Sequence, residues 1–97
     1  MTATPFQVTL SDRVTRSDDV LMQEVGGEAV LLDLASEKYF GLDPVGTRIW
    51  ELLADAPALE QVHVVLCSEF DAEPSRIEAD LLTLAGSLLE AGLVKAG

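Results

Sequence analysis

His63 and Cys67 are the side chains of this sequence best suited to covalent chemistry. An imidazole and a thiol four positions apart share a helix face, and an imidazole that takes the thiol proton makes a nucleophile. Such a pair also needs a third group to orient the base, and no Ser/Asp or second Cys/His constellation lies near it. Both residues sit among Val62, Val64, Val65 and Leu66, the setting of a structural thiol. A zinc site would have to join this one His and one Cys to distant carboxylates. A lone cysteine excludes an internal disulfide and any multi-cysteine metal centre. Gly26-Gly27 joins two apolar runs with no Lys after it, so it is not a phosphate loop. The 17 Asp and Glu residues lack the alternating spacing of a calcium loop and read as a solvated surface. No catalytic residue, metal or cofactor is expected.

The formal net charge is −11 over 97 residues, with a pI near 4.1. That field repels phosphate backbones and anionic bilayers, so neither nucleic acid nor membrane is an expected partner. The N-terminus has no basic, apolar secretory pattern, and no apolar run reaches the roughly 20 residues that span a bilayer. A cytoplasmic, single-domain protein is expected over residues 1–97, with residues 1–18 as a partly flexible arm. Within that arm Phe6, Val8 and Leu10 alternate, which suggests a short extended segment.

The elements that must position any site come next. Residues 20–25 and 28–34 read as strands around the Gly26-Gly27 hairpin turn. After the polar turn at 35–38, Tyr39-Phe40-Gly41-Leu42 makes a third strand, which should lie at a sheet edge. It runs directly into a helix, with Asp43 as N-cap and Pro44 at the first helical position. That helix spans about 44–55, with Val45, Ile49, Leu52 and Leu53 on one face and Trp50 at its border. A second helix carries Leu59, Val62, Val65, Leu66 and Phe70, and a third runs from Pro74 to Glu90 and stops at Gly92. The apolar tail Leu93-Val94 should tuck under the bundle. Strands followed by helices make an α+β fold, a three-stranded antiparallel sheet followed by a three-helix bundle.

On the third helix Ile77, Leu81, Leu84 and Leu88 form one apolar cluster, and Leu82, Ala85 and Leu89 form another further round. Two stripes are either both core or one more than the core needs. A spare stripe beside an open strand edge makes a groove for an extended peptide, which adds to the sheet through backbone hydrogen bonds. A helix-turn-helix DNA reader fails on charge, since its recognition helix carries Glu73, Glu78, Asp80 and Glu90 against Arg76.

Residues 24–53, with Tyr39-Phe40-Gly41-Leu42-Asp43 leading into Ile49-Trp50-Glu51-Leu52, resemble the PqqD-like family, the RiPP recognition elements. Glu69-Phe70-Asp71, Asp80 and Glu90-Ala91-Gly92-Leu93-Val94 extend the resemblance over about residues 14–95. The family implies a winged-helix-like fold that binds the leader of a ribosomally made precursor peptide antiparallel to the third strand and against the third helix. Carried over, Lys38, Tyr39, Phe40, Gly41 and Leu42 would be the backbone partners. Ile77, Asp80, Leu81, Leu84 and Leu88 would wall the groove, with Arg76 at its rim. Tyr39 and Phe40 must point to opposite sides, and the sequence does not say which meets the peptide. Family members hand precursors either to a leader peptidase and an ATP-dependent cyclase, in lasso-peptide biosynthesis, or to a radical-SAM enzyme, in pyrroloquinoline quinone biosynthesis. Leu31-Leu32-Asp33-Leu34 replaces the Tyr-Pro-Glu-like segment of the latter group, which tilts the resemblance toward the lasso type or a generic stand-alone member.

Overall fold

Gly26 and Gly27 take φ of 63° and 85°, so the chain reverses within two residues and Val25 pairs with Glu28. Only glycine adopts both angles without strain. The turn joins β2 (Val20–Val25) to β3 (Glu28–Asp33), and β3 continues to β4 (Lys38–Leu42). The Asp33 carboxylate holds the second turn, accepting from Ala35 N at 3.1 Å and Ser36 Oγ at 2.8 Å. The three strands form one antiparallel sheet in the order β2-β3-β4. Helices α1 (Pro44–Leu52), α2 (Leu59–Glu69) and α3 (Pro74–Glu90) follow, with a 3-10 turn at Leu53–Asp55 extending α1. The computed structural model describes residues 8–55 and 57–96.

Opposed residues in an antiparallel pair share a face. Leu31 faces Phe40, and Ala29 faces Leu42, on the side that the helices cover. Ala29, Leu31 and Leu42 join Ile49, Trp50, Leu53, Leu59, Val62, Leu66, Ile77, Leu81, Ala85 and Leu88 in one core. Helix α1 starts as the sequence predicts: Asp43 Oδ1 accepts from Gly46 N at 2.7 Å, and Pro44 stands at the first helical position. A side chain at position 46 would meet that carboxylate at 3.1 Å and Leu42 Cδ2 at 3.3 Å, so the cap favours glycine there.

The sequence reading omitted a second sheet. Strand β1 (Val14–Arg16) pairs antiparallel with β5 (Val94–Ala96). The expected tail is therefore a strand, and Leu93 and Val94 are both buried. Three-residue strands carry no alternation to detect, and this pairing joins opposite ends of the chain. The N-terminal segment is likewise stitched down from residue 8 onward. Val8 and Leu10 pack against the core but belong to no strand, and Phe6 lies outside the described residues. The carbonyls of Leu10 and Asp12 accept from Glu60 N at 2.8 Å and Leu59 N at 2.9 Å. Those are free amides of the first turn of α2, whose N-cap Ala58 has no side-chain oxygen to offer. Trp50 is buried, with the Arg16 guanidinium 5.1 Å above its ring, which ties β1 to α1.

Helix α3 ends in a Schellman motif: Leu93 N donates to Leu88 O and Gly92 N to Leu89 O, with Gly92 at φ 78°. Nothing crowds a Cβ at Gly92, so Gly92→Ala tests backbone strain alone and should cost about 1 kcal/mol in urea unfolding. Arg48 on α1 grips Glu69 on α2 through Nε and Nη2, both at 2.8 Å, and its hydrogen bonds hold the Glu69 carboxyl below the usual carboxylate range. A carboxyl depressed on folding stabilises above its unfolded pKa and loses that effect as pH falls through its folded value. Glu69→Gln should therefore lower the melting temperature at pH 7 and leave it nearly unchanged at pH 2.

Candidate peptide-docking groove

Strand β4 bonds to β3 along one edge, and among the described residues nothing pairs with its other edge. Its side chains divide by the register. Phe40 and Leu42 point to the helices, while Tyr39, opposite Leu32, points away and is 74% exposed. Phe40 is half-buried and Leu42 is in the core. The open edge borders a groove of about 650 Å³, lined on the strand side by Phe40, Gly41 and Leu42 and floored by Val45, Gly46 and Ile49 of α1. The facing wall is α3, which contributes Arg76, Asp80, Thr83, Leu84 and Ser87.

The wall follows from helical geometry. At about 100° per residue, Arg76, Asp80, Thr83 and Ser87 fall within about 60° of one another. Ile77, Leu81, Ala85 and Leu88 cluster about 125° further round and are buried. Leu84 lies between the two stripes, half-buried against the core while lining the groove. Leu82 and Leu89 pack against the core from its other side. The two apolar clusters of α3 thus merge into one broad buried arc, and neither is spare.

Of the residues expected at the site, Phe40, Gly41, Leu42, Arg76, Asp80 and Leu84 line the groove. Lys38 and Tyr39 belong to the open strand without lining it. Ile77, Leu81 and Leu88 do not line the groove: they are 5%, 0% and 0% exposed, because the stripe that faces the hydrophobic core is the one they form. The sequence reading missed Thr83 and Ser87. The spacing 76-80-83-87 was a detectable signal for them, a polar stripe with helical period. Asp43, Val45, Gly46 and Ile49 were read only as parts of the first helix, and they reach the groove because α1 starts at the end of β4.

His63 and Cys67 lie 3.5 Å apart on α2, but the imidazole is engaged elsewhere. His63 Nε2 lies 2.8 Å from the carbonyl of Pro74, which can only accept, so this nitrogen carries the hydrogen and donates. It then has no lone pair for the Cys67 thiol at 3.5 Å. The bond instead ties α2 to the start of α3. Among the described residues no cluster of His, Cys, Asp and Glu could hold a metal ion, and no helix is long and apolar enough to cross a membrane.

The family model for coenzyme PQQ synthesis protein D (PqqD) matches residues 28–94, from the start of β3 to the start of β5. The chain belongs to the PqqD family. Two solved complexes resemble this PqqD-family chain along most of its length. TbiB1 in complex with the TbiA(beta) leader peptide is 34% identical, with a TM-score of 0.76 over 84% of this chain and 94% of that one. Lasso peptide synthetase B1 complexed with the leader peptide is 27% identical, with a TM-score of 0.74 over 84% of this chain and 96% of that one. The bifunctional coenzyme PQQ synthesis protein C/D of Methylorubrum extorquens is 32% identical over 91 residues. The match takes in 92% of this chain but only 24% of that relative's length.

The two stripes of α3 should respond differently to truncation. Leu81→Ala removes a fully buried side chain and should destabilise the fold by about 2–5 kcal/mol. Ser87→Ala on the groove wall should change stability by less than about 0.5 kcal/mol, both read by chemical unfolding.

Proposed function

We propose that this chain is a leader-peptide recognition protein without catalysis of its own. It takes the extended leader of a ribosomally made precursor as a fourth strand on β4 and holds the leader's alternate side chains against α3. The observation that carries this reading is the edge of β4 that, among the described residues, nothing pairs with, beside a groove built on three elements. An edge strand left bare needs water or a guest for its backbone groups, and a groove beside it selects an extended guest. Leader peptides named in the two similar complexes support the same occupant.

Delivery to separate enzymes completes the reading: a leader peptidase and an ATP-dependent cyclase in lasso-peptide biosynthesis. Similarity to TbiB1 and to lasso peptide synthetase B1, over nearly their whole lengths, favours that pathway. A second pathway, delivery to a radical-SAM enzyme as in pyrroloquinoline quinone biosynthesis, is favoured by the family model and by the relative from Methylorubrum extorquens. Leader capture is common to both. The outer face of the sheet suits a downstream partner, because Leu21, Val25, Val30 and Tyr39 remain exposed there, away from the groove.

Titration with labelled leader peptides of candidate precursors, the TbiA(beta) leader of the similar complex among them, tests the proposal. Binding tighter than roughly 100 µM, about −5.5 kcal/mol, is expected, with slowed amide exchange along 38–42. Asp80→Ala combined with Leu84→Asp should weaken binding at least tenfold in a folded protein. Unchanged affinity in that variant would move the site off this groove, and a leader that leaves β4 amides unprotected would rule out strand addition.

A further inference from the structure

The groove carries two charges that the fold leaves unanswered. Arg76 and Asp80 stand one turn apart on the wall of α3 and are exposed. Among the described residues neither side chain has an ion-pair partner, although their spacing would let them reach each other. Arg48, by contrast, finds both Glu51 and Glu69. The remaining charged residue of the groove, Asp43, uses its carboxylate to cap α1.

The two charges match the repeat of a strand. Four residues of helix rise about 6 Å, and two residues of an antiparallel strand advance about 6.8 Å. The groove is lined along α3 from Arg76 to Ser87, so a peptide that follows this wall while paired to β4 brings successive groove-facing side chains past Arg76 and Asp80 nearly in step. The surroundings sharpen the contrast. A chain of net charge −11 favours basic guests everywhere, and Arg76 shares its helix with Glu73, Glu78 and Asp80. An acidic guest residue is welcome at one point of this wall and its basic neighbour at the next.

We infer that the guest is selected by charge order: its groove-facing side presents an acidic and a basic residue two positions apart, paired with Arg76 and Asp80. This rests on the groove reading above and adds what the groove discriminates. Phe40, Leu84 and Ile49 accept any apolar neighbour of suitable size, whereas exchanging the two guest charges turns two attractions into two repulsions.

Random 12-residue peptides displayed on phage, selected on the wild type and on Arg76→Asp/Asp80→Arg, test this, with circular dichroism reporting the fold of the variant. Peptides selected on the wild type should share an acidic and a basic residue two positions apart in one order, and those selected on the variant should share the opposite order. Exchanging the two residues in a selected peptide should weaken its binding to the wild type about tenfold, the scale of two exposed pairs reversed. If the double variant does not fold, Asp80→Asn alone should lose the requirement for the base and keep that for the acid. Selected peptides without the pair, or with one order on both proteins, overturn the charge reading and leave the groove standing. Enrichment of nothing on either protein removes the groove reading and this inference with it.

Discussion

Among the described residues strand β4 is satisfied along one edge and bare along the other, and the rest of the molecule is arranged around that asymmetry. Backbone amides and carbonyls are obligatory hydrogen-bonding groups, so the edge that β3 does not cover must find its partners in water or in another chain. The chain leaves β4 through Leu42 into the core and turns at once into α1, held by the Asp43 cap. This junction sets the first turns of α1 as a floor beside the edge. It also limits the groove, because the cap needs the close approach that Gly46 permits.

Helix α3 has two duties, and its composition separates them. A broad apolar arc from Leu84 through Leu81 and Ala85 to Leu82 closes the core, while Arg76, Asp80, Thr83 and Ser87 face the groove. Burial supplies the rigidity, and the polar stripe is left to line the groove. Because Leu84 borders both, the wall is continuous from core to groove. The Arg48–Glu69 pair and the His63–Pro74 bond link the helices through residues that do not line the groove, so the bundle is braced without filling the site.

The chain ends contribute a brace of another kind. Strands β1 and β5 pair, Arg16 covers Trp50, and the carbonyls of residues 10 and 12 cap α2. These contacts hold the back of the helical layer and leave β4 and α3 open toward solvent. The sheet's outer face stays apolar and exposed, so groove and outer face are two surfaces on opposite sides of one strand.

Periodicity and punctuation alone determined the hairpin at Gly26-Gly27, the strand at 39–42, the Asp43-Pro44 helix start and α3 with its Gly92 stop. Each is a local effect of φ, capping or alternation that needs no distant partner. The resemblance of residues 24–53 directed attention to the same strand. Tertiary structure decided the rest. It paired β1 with β5 across the length of the chain, which two three-residue segments cannot announce. It turned Phe40 inward and Tyr39 outward, because only the register with Leu31 says which face the helices cover. It sent Ile77, Leu81 and Leu88 into the core and gave the groove to Arg76, Asp80, Thr83, Leu84 and Ser87. A helical period says which residues lie together, but only packing says which stripe is pressed against another element.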